Sequence, residues 1–127
     1  MSKFTWIVTF AFALIPTFAV GTTDVRVSPK TALESVRSHK AVVIDVREAD
    51  EVAQGKVEQA HVFPTSKLGT PEWDQFVKSL PKDKEIYTYC ARGGRADKVA
   101  EDLRAKGFKA SSTGGFRDWV AAGAKSN

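Results

Sequence analysis

Glu85-Ile86-Tyr87-Thr88-Tyr89-Cys90-Ala91-Arg92-Gly93-Gly94-Arg95 is the stretch from which the rest of the chain is read. Residues 85–89 are rich in β-branched and aromatic side chains, the composition of a strand. The pattern then changes: Ala96, Val99, Ala100 and Leu103 recur at helical spacing, and Gly107 closes a helix over 96–106. A strand running through a short glycine loop into a helix is half of a βαβ unit. Working outward, Ala41-Val42-Val43-Ile44-Asp45-Val46 is a continuous β-branched run, as expected of a strand buried on both faces of a parallel sheet. Further strands are expected at 24–27, 60–63 and 108–112. Ser28-Pro29 and Thr70-Pro71 each open a helix, the hydroxyl capping and the proline taking the first helical position. A short helix over 48–54 ends at Gly55, and Gly114-Gly115 turns the chain into a last helix around Trp119. Trp73, Phe76, Val77 and Leu80 share one helix face, and Phe116 and Trp119 also read as core. The expected fold is α/β: a mostly parallel sheet of about five strands with helices on both faces.

The 127 residues suit one domain. A single cysteine excludes an internal disulfide, C-x-x-C redox chemistry and a multi-cysteine zinc site. Two histidines without an H-E-x-x-H pattern point away from a metal centre. The net charge of +4 comes without basic runs or aromatic interleaving, so no nucleic-acid partner is expected. At the start, Lys3 precedes an uncharged apolar run from Phe4 to Val20, and Ala19-Val20-Gly21 offers small residues where a signal peptidase reads. Residues 1–21 are therefore read as a secretory signal peptide and residues 22–127 as the mature domain, with cleavage after Ala19 as the second choice. The alternative is a membrane anchor over residues 4–20. Pro16 and the shortness of the run count against it. An exported chain with one unpaired cysteine makes Cys90 the first residue to explain.

Cys90 follows directly on a predicted strand, at the carboxyl edge where parallel sheets bind ligands. Gly93 and Gly94 let the loop curl with its amides turned inward. The helix N-terminus behind it adds partial positive charge, and Arg92 and Arg95 add full charge. Each of these favours a thiolate over a thiol. The loop is suited to holding an anion on or beside sulfur, with Cys90 as nucleophile and the amides of Ala91, Arg92, Gly93, Gly94 and Arg95 around it. Arg92 at the crest is placed to meet an anionic donor, and Arg95 to close the loop by pairing with a carboxylate. Asp45 and Arg47, ending the neighbouring strand, either position the loop by hydrogen bonding or form an ion pair within their own turn. His61 reads as a side chain on a strand edge.

Cys90-Ala91-Arg92-Gly93-Gly94-Arg95 resembles the active loop of the rhodanese family, whose single-domain members read C-x-x-G-x-R. Asp45-Val46-Arg47-Glu48 is similar to that family's D-V-R-E, residues 55–64 resemble G-H-I-x-G-A-x-N-I-P, and Gly114 to Trp119 resembles G-G-x-x-x-W. Lys56, Gln59 and Val62 depart from the second of these patterns. The resemblance spans roughly residues 25–123 and implies strand order 1-5-4-2-3. It also implies a sulfurtransferase without a metal or organic cofactor, acting on a small anionic sulfur donor and a thiophilic acceptor. An exported single domain of this kind is similar to the periplasmic phage-shock type.

The architecture also resembles that of cysteine-based phosphatases and arsenate reductases, whose loop is C-x5-R. Here Cys90 to Arg95 is C-x4-R. The shorter ring of amides fits one sulfur atom on Cys90 and not a tetrahedral oxyanion. The implied chemistry is covalent: thiosulfate or a similar donor leaves a Cys90 persulfide, and cyanide or a thiol takes the sulfur. The competing reading is a persulfide carrier or binding module that serves a protein partner and turns over little thiosulfate.

Overall fold

The computed structural model describes residues 26–127. The expected signal segment and the start of the expected first strand lie outside the described residues. Helix α1 (Pro29–Arg37) begins where Ser28 Oγ accepts the Thr31 N–H at 3.2 Å, and it buries Ala32, Leu33 and Val36. It leads into β1 (Ala41–Asp45), followed by α2 (Ala49–Val52), the two-residue β2 (His61–Val62) and a 3-10 turn over Thr65–Lys67. Helix α3 (Pro71–Ser79), capped by Thr70, precedes β3 (Glu85–Cys90), α4 (Gly94–Ala105), β4 (Lys109–Gly115) and α5 (Phe116–Ala121).

The four strands are parallel and run in the order β2-β1-β3-β4. Ala41 pairs with Glu85 and Asp45 with Tyr89, so β1 and β3 form the centre of the sheet. Arg26 bridges Ser112 in parallel on the far side of β4, which is the place the family resemblance gives the first strand. Period-two alternation splits the core between two faces. Ile44 and Ile86 face Trp73, Val77, Val99 and Leu103 of α3 and α4. Val43, Tyr87 and Tyr89 face Leu33, Val36 and Trp119 of α1 and α5. The α/β architecture with both faces covered is as expected.

Several element ends shift by one or two residues from the sequence reading, and at the two shifts that bear on the loop the boundary falls at a glycine. Helix α4 starts at Gly94, two residues before Ala96, because Gly93 at φ +120° turns the chain straight into the helix. Strand β4 continues past Ser112 to Gly115, so Gly114-Gly115 is the strand's end and not a free turn. After a register irregularity Gly115 pairs with Cys90 itself.

Trp119 is completely buried, and its Nε1–H donates to Thr113 Oγ1 at 2.8 Å. Trp119→Ala should destabilise the fold by about 3–5 kcal/mol, the usual cost of emptying a large aromatic site. Val120→Ala, next to it but 43% exposed, should stay within about 0.5 kcal/mol of wild type. Urea unfolding measures both; equal effects would remove Trp119 from the core.

Candidate active site

Strand β3 carries Cys90 to the carboxyl edge of the sheet, where the residue is only 1% exposed. Its Sγ accepts the Gly93 N–H at 2.9 Å, so one amide of the loop already points at sulfur. Gly93 owes this to its left-handed φ, and its carbonyl in turn accepts the Asp97 N–H at 2.9 Å as α4 begins. Gly115 is the other glycine the loop requires. A Cβ there would run into the Ala91 carbonyl, whose carbon lies 3.1 Å from that position. Gly94 is different: open space surrounds the position of its missing Cβ, and it serves as the first residue of the helix. Of the two glycines singled out in the loop, the geometry needs Gly93. Its second glycine comes from β4.

Arg92 and Ala91 are exposed at the loop crest, and Arg95 is half-buried behind them. Arg95 forms a two-pronged ion pair with Glu51 of α2, Nη1 to Oε1 at 2.6 Å and Nη2 to Oε2 at 2.9 Å. The loop is thus tied to the turn after β1. The hydrogen bond from Arg95 holds the Glu51 carboxyl down at about 2. Nothing local in the sequence marks Glu51 as this partner, because 44 residues separate the two.

Asp45 and Arg47 form the ion pair within their own turn, and it is buried. Arg47 donates from Nη2 to Asp45 Oδ2 at 2.7 Å and from Nε to Oδ1 at 3.0 Å, while its backbone N–H also reaches Oδ1. Arg47 Nη2 further donates to the Gly55 carbonyl at 2.6 Å, and the guanidinium lies 4.4 Å from the centre of the Phe116 ring. Tyr89, next to Cys90, completes the group. Its hydroxyl donates to Asp45 Oδ2 at 2.7 Å and accepts the Val57 N–H at 3.0 Å. Burial and then the Asp45 carboxylate push the Tyr89 phenol well up, so it remains a donor. Asp45 and Arg47 therefore act on the Cys90 loop only through the strands that carry them. In the sequence Tyr89 reads as an ordinary strand residue; its hydroxyl is what links the two strand ends.

Of the neighbouring departures from the family pattern, one makes hydrogen bonds of its own and two lie at the surface. Lys56 Nζ donates to the carbonyls of Val57, Glu58 and Ala60, closing its own loop. Gln59 and Val62 are exposed, and His61 is an exposed side chain on the edge strand β2. Among the described residues no group of three or more acidic, histidine or cysteine side chains has the spacing to hold a metal ion.

The Glu51–Arg95 pair has a pH signature. Because the folded state lowers the Glu51 carboxyl from 4.5 to about 2, its stabilisation is fully present above about pH 4.5 and is lost as the pH falls toward 2. Thermal unfolding of wild type and Glu51→Gln should differ at pH 6, and the gap should narrow steadily below pH 4.5 and close only below about pH 2. A gap that does not change with pH would disprove the ion-pair account.

A model of the rhodanese-like domain matches residues 28–122. The thiosulfate sulfurtransferase GlpE of Coxiella burnetii is 30% identical over 98 residues, covering 76% of this chain and 87% of that protein. Among solved structures, a rhodanese-related protein of Thermoplasma volcanium aligns with a TM-score of 0.67 at 26% identity, over 80% of this chain and 96% of the other. The human single-domain sulfurtransferase TSTD1 aligns with a TM-score of 0.62 at 25% identity, over 76% of this chain and 95% of the other. With the match running from the cap of α1 to the end of α5, the chain belongs to the rhodanese-like domain family.

Proposed function

We propose that the protein is a sulfurtransferase that carries sulfane sulfur on Cys90. The observation that supports this most is the Gly93 N–H aimed at a buried Cys90 Sγ, inside a six-residue loop whose far end is clamped by Arg95 and Glu51. The relatives named as sulfurtransferases support the same class of reaction. In the first step the Cys90 thiolate attacks the outer sulfur of thiosulfate. A new S–S bond forms, the bond to the sulfonate sulfur breaks, and sulfite leaves with that electron pair. In the second step cyanide or a thiolate attacks the terminal sulfur, and Cys90 departs as thiolate. The charge that collects on the terminal sulfur is held by the loop amides, of which the Gly93 N–H already points at Cys90 Sγ. Arg92 captures the anionic donor at the crest. Arg95 keeps the loop closed and does not touch the donor. The reaction calls on no metal or organic cofactor.

We also propose that residues 1–21 direct export to the periplasm and are then removed. Among the described residues no helix is long and apolar enough to cross a membrane. N-terminal sequencing of protein recovered from the native envelope should start near Thr22; a start at Met1 or Ser2 in a membrane fraction would favour the anchor.

Purified mature protein incubated with thiosulfate should gain the mass of one sulfur atom and release it as thiocyanate on addition of cyanide. Cys90→Ser should do neither, because a hydroxyl cannot form a persulfide. A wild-type protein that gains the mass but yields no thiocyanate would instead support the carrier reading. Arg92→Ala should mainly raise the KM for thiosulfate, less so at high salt, because capture by an exposed charge is screened. Arg95→Ala should lower turnover and melting temperature together at either salt concentration. The opposite pattern would exchange the two roles.

A further inference from the structure

Gly93 is buried although its neighbours Arg92 and Gly94 are exposed, and the group that covers it comes from the far edge of the sheet. A Cβ built on Gly93 would stand 3.0 Å from Arg26 Nη2 and 3.3 Å from both Cζ and Nη1, so the guanidinium lies across the Gly93 α-carbon. The same guanidinium grips Asp97 in the first turn of α4, Nε to Oδ1 at 3.1 Å and Nη2 to Oδ2 at 2.5 Å. Asp97 is one helical turn from Gly93 and donates its N–H to the Gly93 carbonyl. The hydrogen bond from Arg26 is the foremost cause holding the Asp97 carboxyl below its ordinary value, so it is ionised at neutral pH. An aspartate suits a helix N-terminus in isolation. Here it also sets a negative charge one helical turn from Gly93, whose N–H meets Cys90 Sγ, and a charge so close to the loop acts against any approaching anion.

We propose that Arg26 is a positioning residue of the Cys90 loop, which it covers at Gly93 while cancelling the Asp97 carboxylate beside it, so that anionic donors meet a loop of net positive charge. This rests on the sulfur-transfer reading of Cys90, but the interaction itself can be probed without any sulfur transfer. The anchor for Arg26 is the parallel bridge to Ser112, which fixes its backbone alongside β4. The loop is thereby held from two sides, by Glu51 through Arg95 and by Arg26 through Asp97 and Gly93.

The test compares the rates at which Cys90 is alkylated by iodoacetate, an anion, and by iodoacetamide, which is neutral. Arg26→Gln should lower the iodoacetate-to-iodoacetamide rate ratio about twofold to fivefold at low salt, the scale of an exposed ion pair, with the deficit closing at high salt. Adding Asp97→Asn to Arg26→Gln should restore the ratio, and Arg26→Lys, which keeps the charge, should retain most of it. In the thiosulfate and cyanide assay, Arg26→Gln should raise the KM for thiosulfate by a similar factor while kcat changes little. If Arg26→Gln slows both reagents equally, or if Asp97→Asn restores nothing, Arg26 is only a structural brace and the inference falls. If the alkylation ratios behave as stated but wild type makes no thiocyanate, the sulfur-transfer reading fails and the role of Arg26 stands.

Discussion

A carboxylate with no solvent exposure sits at the carboxyl end of a central strand, and much of the molecule is arranged around its needs. A carboxylate buried this deeply needs partners, since an uncompensated buried ion is strongly destabilising. Arg47 and Tyr89 supply them. Satisfying those two groups in turn recruits the Gly55 carbonyl, the Val57 amide and the Phe116 ring. One charge thus gathers the ends of β1 and β3, the segment before β2 and the start of α5. Tyr89 immediately precedes Cys90, so the same network fixes where the sulfur emerges. Such a network is poor evidence for high stability, because desolvation offsets most of its attraction. Its contribution is that few other arrangements of these segments would satisfy every member.

The loop beyond Cys90 is held by a different kind of interaction. Both of its ion pairs are partly solvated, Arg95 with Glu51 and Arg26 with Asp97, and pairs of this sort contribute little each to stability. They matter through direction. Each takes a carboxylate that would repel an anion and turns it toward a guanidinium, while Arg92 is left at the crest. The sulfur has a near neighbour of fixed orientation, the Gly93 amide, and backbone amides cost no reorganisation when charge develops.

Much of the architecture was legible because its signals are local. The β-branched run at 41–46 and the two hydroxyl-proline helix starts at Ser28 and Thr70 announce themselves within a few residues, and Cys90 stood out as the lone cysteine after a strand. What was not legible depends on contacts far apart in sequence. Gly94 lies in the loop yet has room for a side chain, whereas Gly115 has none because the Ala91 carbonyl fills its space. Glu51 carries no mark of Arg95, nor does Tyr89 look different from any strand aromatic until Asp45 and Val57 are placed beside its hydroxyl. The choice between two roles for Asp45 and Arg47 likewise depends on which atoms meet in space, because spacing permits both.

The last residues of the chain belong to this network as well. Lys56 and Asn127 exchange backbone hydrogen bonds, Glu58 donates to the Lys125 carbonyl, and Val57 bridges Ser126 in antiparallel fashion. Val57 is the residue whose amide holds the Tyr89 hydroxyl. An affinity handle or surface tether joined directly after Asn127 would therefore start from a paired residue, and tension on it would reach the Asp45 network through a single intervening segment. A flexible glycine-serine spacer would keep that pairing undisturbed in an immobilised or fused form of the protein.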